Sequence, residues 1–320
     1  MEQKKYHDVV RLGHKSTLGV LNVGDNIVIQ EKLDGANASF RRDGDIVRAY
    51  SRNNELSEEN TLGGFYQFVQ ENIKAEDLVK DGIYFGEWLN PHKVKYPEYQ
   101  KQFFLYDIYD TETKRYINFK LVKSVAKKLN LNLIPVFYEG EYQSFEHLQS
   151  FVGKTALGGK LGDIETGEGV VAKNVDYTDR FGNQIFVKLV TDAFREVQKQ
   201  KAPKDPKIAQ TAEQRFVDAT VTEARVEKFL HKFVDEGILD EHYGVEDMGT
   251  ILKNMNVRIK EDILKEEAEN FLEIITPVEA IADAEGHVGE VVGQEIDEKQ
   301  LSKAISRTDV KEVKKILDKR

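Results

Sequence analysis

The spacing of apolar residues changes character along the chain. Over the first two hundred residues, short apolar runs alternate with turn residues. Ile27–Leu33, Ala36–Arg42 and Ile46–Ser51 read as strands, with Asp43-Gly44-Asp45 as a hairpin turn between the last two. Helical spacing of Leu62, Phe65, Phe68 and Val69 predicts a helix over Leu62–Asp77. Ile83–Leu89 and Phe103–Tyr109 suit buried strands, Phe119–Leu129 and Phe145–Val152 read as helices, and Gly169–Lys173 and Gln184–Val190 return to strand. Hairpins with segregated helices predict an antiparallel α+β domain rather than a doubly wound sheet.

A break follows at residues 201–207, where two prolines lie among charges, the composition of a linker. Beyond it, Val221–Glu236, Val245–Met255, Ile259–Ile275 and Gln300–Leu317 place apolar residues at three- and four-residue intervals. The expected organisation is an α+β domain over residues 1–204 and a small all-helical domain over 205–320. A length of 320 residues also favours two domains over one core.

Composition narrows the chemistry. With 40% apolar and 32% charged residues and a mean hydropathy of -0.52, this is the make-up of a soluble chain. No apolar run approaches the roughly 18 residues of a spanning helix, and the polar start, Met1 to Lys5, does not resemble a signal peptide. A cytoplasmic protein without a membrane partner, most simply a monomer, is expected. Zero cysteines exclude disulfides, zinc–thiolate sites and thiol nucleophiles. The net charge of -10 is unevenly spread: residues 1–204 carry 29 cations and 29 acids, while 205–320 carry 17 and 27. Overall acidity therefore says little about a local anion-binding cleft in the first domain.

The segment Glu31-Lys32-Leu33-Asp34-Gly35-Ala36-Asn37 places a lysine at a strand end before a turn, presenting an amine at the edge of a cleft. Alone it is a weak signal, but an ordered series follows. Ser51-Arg52-Asn53 closes a hairpin, Phe85-Gly86-Glu87 ends a strand in a carboxylate, and Tyr106-Asp107-Ile108 sets an aromatic before an acid. Glu168-Gly169-Val170-Val171-Ala172-Lys173 and the strand around Lys188 complete it.

This series resembles the covalent nucleotidyltransferases, which include ATP-dependent DNA ligases, RNA ligases and mRNA capping enzymes, and it covers essentially residues 1–204. The resemblance implies an ATP-grasp-like ligase domain. It implies Lys32 as the nucleophile that forms a lysyl-AMP, with Lys173 and Lys188 stabilising α-phosphate charge and helping to lower the Lys32 pKa. Asp34, Glu87 and Glu168 are the expected ligands of Mg²⁺ or Mn²⁺, Glu87 alternatively gripping the ribose. Tyr106 would stack on adenine, Glu31 read its amino group, and Asn37 and Arg52 orient phosphates. Many relatives carry Lys-x-Lys in the last motif. Here the strand reads Lys188-Leu189-Val190, leaving Arg195 or Lys199 as candidates for the second cation.

Cellular-type DNA ligases and capping enzymes continue into an OB-fold, whereas residues 205–320 read as helices. A catalytic domain followed by a helical one resembles the RNA ligase 2-like family, and residues 220–230 resemble the opening of its C-terminal domain. The reaction so implied is RNA repair: sealing of 5′-phosphate to 3′-hydroxyl ends, at nicks in duplex RNA. Arg52, Lys93 and Lys95, with Arg41 and Arg42, are expected RNA contacts, as are Arg225, Lys228 and Lys232; a merely solvated face is the competing reading. A minimal DNA nick ligase, a capping-type guanylyltransferase and an inactive nucleic-acid binding module remain the alternatives.

Overall fold

A computed structural model describes residues 4–194, 211–271 and 296–318. The chain divides into two units, residues 1–193 and 194–320. The boundary expected near 205 and the proline-containing segment 201–207 lie outside the described residues.

The first unit contains β1 (Val10–Arg11), β2 (Asn26–Lys32), β3 (Ala36–Asp43), β4 (Ile46–Ser51), α1 (Phe65–Asn72), β5 (Gly82–Trp88), β6 (Phe103–Asp110) and β7 (Arg115–Tyr116). It continues through α2 (Phe119–Lys128), β8 (Asn132–Leu133), β9 (Val136–Glu141), α3 (Phe145–Gln149), β10 (Lys160–Leu161), β11 (Ile164–Glu165), β12 (Gly169–Lys173) and β13 (Phe186–Val190). One sheet runs β1-β13-β12-β2-β9 and a second β4-β3-β5-β6-β7, with β8 beside β6. Pairing is antiparallel except for β1 with β13 and β6 with β8. This is the expected α+β class.

Side-chain alternation splits the first sheet into two faces. Ile27, Ile29, Val170, Ala172 and Val187 pack with Val20, Tyr142 and Leu148 as a buried core. The second sheet buries aromatics: Phe40 stacks on Tyr84 at 5.1 Å, and Phe65 of α1 meets Trp88 and Phe103 at 5.4 and 5.3 Å. Residues of β5 are buried on both faces, which is why they read as one continuous apolar run.

A β-bulge falls within the second sheet. Phe85 pairs with Asp107 and Gly86 with Leu105, so Tyr106 has no partner on β5. A Cβ at Gly86 would lie 2.2 Å from the Phe103 ring and 2.5 Å from the Phe104 carbonyl oxygen, so only glycine admits this approach.

The structure departs from the expected elements in several places. The helix expected over Leu62–Asp77 is shorter, because Gly63 and Gly64 hold φ of 61° and 99° and it starts only at Phe65. β9 carried no strand expectation. In the second unit, the helices expected at Val245–Met255 and Ile259–Ile275 are one helix over residues 248–267. Its apolar stripe, Ile251, Met255, Ile259 and Ile263, runs unbroken through the supposed gap.

The second unit contains α4 (Ala212–Thr220), α5 (Glu223–Asp235), α6 (Met248–Glu267) and α7 (Glu298–Leu317). Thr211, Thr222 and Asp297 cap α4, α5 and α7 by accepting backbone N–H bonds. Phe216, Val226, Phe233, the α6 stripe, Leu301, Ile305 and Val313 form one apolar core.

Ionisable side chains are buried inside this unit, Arg225, Glu267 and Asp309 among them. Arg225 is fully buried, bonded to the Thr220 carbonyl at 2.6 Å and paired with Asp262 and Glu266 at 3.0 and 3.1 Å. Asp309 is fully buried on α7, and among the described residues neither carboxyl oxygen has a hydrogen-bond partner. Burial pushes its carboxyl up to about 7. The native state then keeps a proton that the unfolded chain releases above about pH 4. Stability should therefore fall as pH rises from about 4 to about 7, by up to about 1.4 kcal/mol per pH unit, and not further above. Asp309→Asn should flatten that slope and raise the melting temperature at pH 8. Thermal unfolding of both proteins from pH 5 to 8 checks this, and parallel profiles would refute it.

Candidate active site

The face of the first sheet opposite its apolar core carries the lysines. Alternation sets Val28, Gln30 and Lys32 of β2 on that face. The register places Gly169, Val171 and Lys173 of β12 directly beside them, and Lys188 of β13 beside Val171. Lysines remote in sequence are thus brought onto one surface.

Lys32 Nζ lies 2.6 Å from Glu168 Oε1. Burial alone would lower the amine's pKa, but Glu168, then Glu87 and Asp34, outweigh it and the pKa is raised. The sequence expectation was the reverse, a Lys32 pKa depressed by neighbouring lysines. The carboxylates dominate because they, rather than Lys173, are the near neighbours. Burial in turn pushes the Glu168 carboxyl up, against the pull of Lys32.

The other two carboxylates are held by backbone. Gly35 N donates to Glu87 Oε1 at 3.1 Å, and Val94 N donates to Asp34 Oδ2 at 2.7 Å. His92, 7% exposed, places Nδ1 3.6 Å from Asp34 Oδ1. Burial pushes the Glu87 carboxyl up to about 8, even with Lys32 nearby. Burial disfavours the ionised forms of Glu168 and Glu87 beside Asp34, a strain that a divalent cation bound among the three carboxyls would relieve. Among the described residues no three His, Asp or Glu side chains form a ligand set by themselves. A metal here would need phosphate oxygens and water to complete its shell.

The bulge carries Tyr106 into a packed cluster. Asn37 Nδ2 donates to the Tyr106 hydroxyl, and Tyr6 packs edge-on at 4.9 Å. Lys173 Nζ lies 5.2 Å from the Tyr106 ring centre and pairs with Asp107 Oδ2 at 2.7 Å; the Tyr6 hydroxyl donates to the same oxygen. Lys173 is 2% exposed and opposite Val28, four residues from Lys32, or roughly 13 Å of strand. The α-phosphate role expected of Lys173 thus meets an ammonium that is paired with Asp107. Lys188 is half-buried and acts on Glu168, whose carboxyl it helps to lower.

Polar groups on β2 remain unsatisfied. Glu31 Oε2 accepts from Ala156 N at 2.8 Å, while buried Glu31 Oε1 and Gln30 Nε2 have no partner among the described residues. Each is a hydrogen-bonding site that a ligand would satisfy.

The remaining expected cations have partners within the chain. Arg52 pairs with Asp8 at 2.5 Å. Lys93 Nζ donates to the Ala193 carbonyl at 3.1 Å and Lys95 Nζ to that of His92. Arg41 is buried over the Tyr50 ring, and Arg42 donates to the Gly44 carbonyl at 2.7 Å. Arg225 is corrected as an RNA contact, because no part of its side chain reaches solvent. Lys228 pairs with Asp262 at 2.8 Å and lies over the Phe229 ring, as does Lys232. Arg195 and Lys199 lie outside the described residues.

Sequence reading missed Tyr6 and Gln30, took His92 only as a neighbour of the expected RNA contacts Lys93 and Lys95, and left Asp107 without a role. Asp107 was visible beside Tyr106. Its partners Tyr6 and Lys173 are 101 and 66 positions away, and no local pattern reports such a pairing.

Comparison with known proteins bears on this constellation. A search of the curated proteins found no match. Among solved structures, a Naegleria gruberi RNA ligase variant with ATP and manganese matches at a TM-score of 0.45 and 22% identity, over 59% of this chain and 56% of that one. Another variant, with AMP and manganese, matches at 0.45 and 22%, over 60% and 57%, and the ligase with pyrophosphate at 0.44 and 21%, over 58% and 57%. The chain thus spans a little over half the length of these proteins. The sequence model of the RNA ligase family matches residues 25–190, which include every strand of the two large sheets but β1, together with Lys32, the three carboxylates, Tyr106 and Lys188. That match extends over more than half of the chain, which therefore belongs to the RNA ligase family.

Proposed function

We propose that this protein is an ATP-dependent RNA ligase that joins a 5′-phosphate to a 3′-hydroxyl at nicks in duplex RNA. The observation that carries the reading is Lys32 Nζ held 2.6 Å from Glu168 Oε1 on the lysine-bearing sheet face.

In the first step Lys32 Nζ attacks the ATP α-phosphorus. The P–N bond forms, the bond to the bridging oxygen of the β-phosphate breaks, and pyrophosphate leaves. The attacking amine must first lose a proton, and Glu168 Oε1 is placed to take it. A divalent cation held by Glu168 and Glu87, with Asp34 beside them, would cancel the negative charge that keeps Lys32 protonated and stabilise charge on the α-phosphate. Lys188 adds positive charge on the same face. The buried Glu31 Oε1, lacking a partner among the described residues, is an acceptor suited to the adenine amino group, and Tyr106 offers an aromatic surface for the base. In the second step a 5′-phosphate oxygen of RNA displaces Lys32, giving a pyrophosphate-linked adenylylated end. In the third the 3′-hydroxyl attacks that 5′-phosphate and AMP departs.

The test is incubation with α-labelled ATP and Mg²⁺ or Mn²⁺, denaturation, and inspection of the protein band, followed by a chase with nicked duplexes. Label from ATP in preference to GTP, chased into sealed RNA in preference to DNA, is expected. No label on folded protein free of bound AMP would overturn the reading.

A further inference from the structure

The second unit is strongly acidic, yet its last helix carries cations in a regular row. Lys299, Lys303, Arg307, Lys311 and Lys314 of α7 recur at intervals of four, four, four and three residues, and all five are exposed. At 3.6 residues per turn they fall within roughly 120° of the helix circumference and extend about 22 Å along it. None of the five forms an ion pair among the described residues. The remaining cation of the helix, Lys315, is different: it pairs with Glu223 at 2.8 Å.

The acids of this helix lie elsewhere. Glu298 pairs with Lys260 at 3.0 Å, Asp309 is buried, and Glu312 lies 3.6 Å from Lys315. Asp297 caps the helix through Lys299 N and Gln300 N, and Asp318 follows its end. Five like charges in a row repel one another; Asp297 attracts the first two, Lys299 and Lys303, while among the described residues no ion pair offsets the cost along the rest of the row. A polyanion would.

The opposite face decides what kind of polyanion. Leu301, Ala304, Ile305, Val313 and Ile316 are buried in the core of the unit. No apolar face is left to enter a membrane or the groove of another protein, as an amphipathic basic helix would need. Point contacts between flexible cations and the phosphates of a duplex require no such face.

We propose that the Lys299–Lys314 face of α7 is a sequence-independent contact for the phosphate backbone of duplex RNA. This rests on the ligase reading above and adds to it a second place where the substrate is held.

The test replaces Lys299, Lys303, Arg307, Lys311 and Lys314 together with Gln in the full chain. A control changes the exposed Lys80, Lys114, Lys120, Lys127 and Lys128 of the first unit to Gln, giving the same change in net charge. Binding to a nicked RNA duplex is measured from 50 to 200 mM salt, beside self-adenylation and thermal unfolding. The α7 variant should melt and self-adenylate like the wild type. Its log–log salt slope should be shallower by about 4, so that the salt increase costs the wild type on the order of 10²-fold more affinity than the variant. An unchanged slope, or an equal loss in the control, would overturn the proposal and leave the ligase reading standing. Failure of the wild type to self-adenylate would instead remove the ligase reading, and the contact with it.

Discussion

Lys32→Ala should carry no label from α-labelled ATP, a loss of at least about 10⁴-fold in self-adenylation. The expectation follows from position. Lys32 shares a sheet face with Lys173 and Lys188, but Lys173 is committed to Asp107, and Lys32 Nζ stands 2.6 Å from Glu168 Oε1. Arginine should not rescue, because a guanidinium does not give up its proton and cannot act as the nucleophile. Loss of fold is separable from loss of nucleophile. The variant should still seal RNA supplied with a pre-adenylylated 5′ end, since that step needs no lysyl-AMP. Label on the alanine variant would place the nucleophile elsewhere. Failure of both activities in a protein that melts early would mean that Lys32 holds the fold.

The second large effect concerns stability. Arg225→Ala should destabilise the helical unit by about 3–5 kcal/mol, because it removes the guanidinium that pairs with Glu266 and, beside Lys228, with Asp262, and leaves the Thr220 carbonyl without its donor. Glu267, itself buried, lies 3.6 Å from the same guanidinium and would lose that compensation too. Lys228→Ala, which removes a half-exposed partner of Asp262, should cost under about 1 kcal/mol. Urea unfolding of the three proteins compares them. Near-equal midpoints would show that the acidic cluster tolerates losing its arginine, and that Arg225 does not organise the α5–α6 contact.

Much of the site was legible because its chemistry is carried by short local patterns. Lys32 sits at the end of β2 because the apolar run Ile27–Ile29 builds the strand and Asp34-Gly35 ends it. Glu168 and Glu87 were recognisable by the glycines beside them, and in the fold Gly86 is demanded by the Phe103 ring. What remained hidden depends on which remote groups come together. Arg225 read as a cation on a helix surface, since the spacing of α5 does not say that three acids of α6 surround it. Lys173 read as a phosphate ligand until Asp107 and Tyr106 were found around it. The continuity of α6 was present in its i, i+4 stripe, Ile251, Met255, Ile259 and Ile263, although the sequence reading set a gap between Met255 and Ile259.

By itself, then, the sequence determined the α+β class, the change to helices, the strand ends that bear Lys32, Glu87 and Glu168, and the membership that those patterns express. These are properties of residue order within a strand or a turn, where alternation and turn chemistry act over a few residues. Only the tertiary structure decided the electrostatic surroundings of Lys32, the commitment of Lys173 to Asp107, the burial of Arg225, and the exposure of the row of cations on α7. Each depends on distances between elements far apart in the chain. Desolvation and Coulomb interaction depend on what stands within a few ångströms, not on what stands next in sequence.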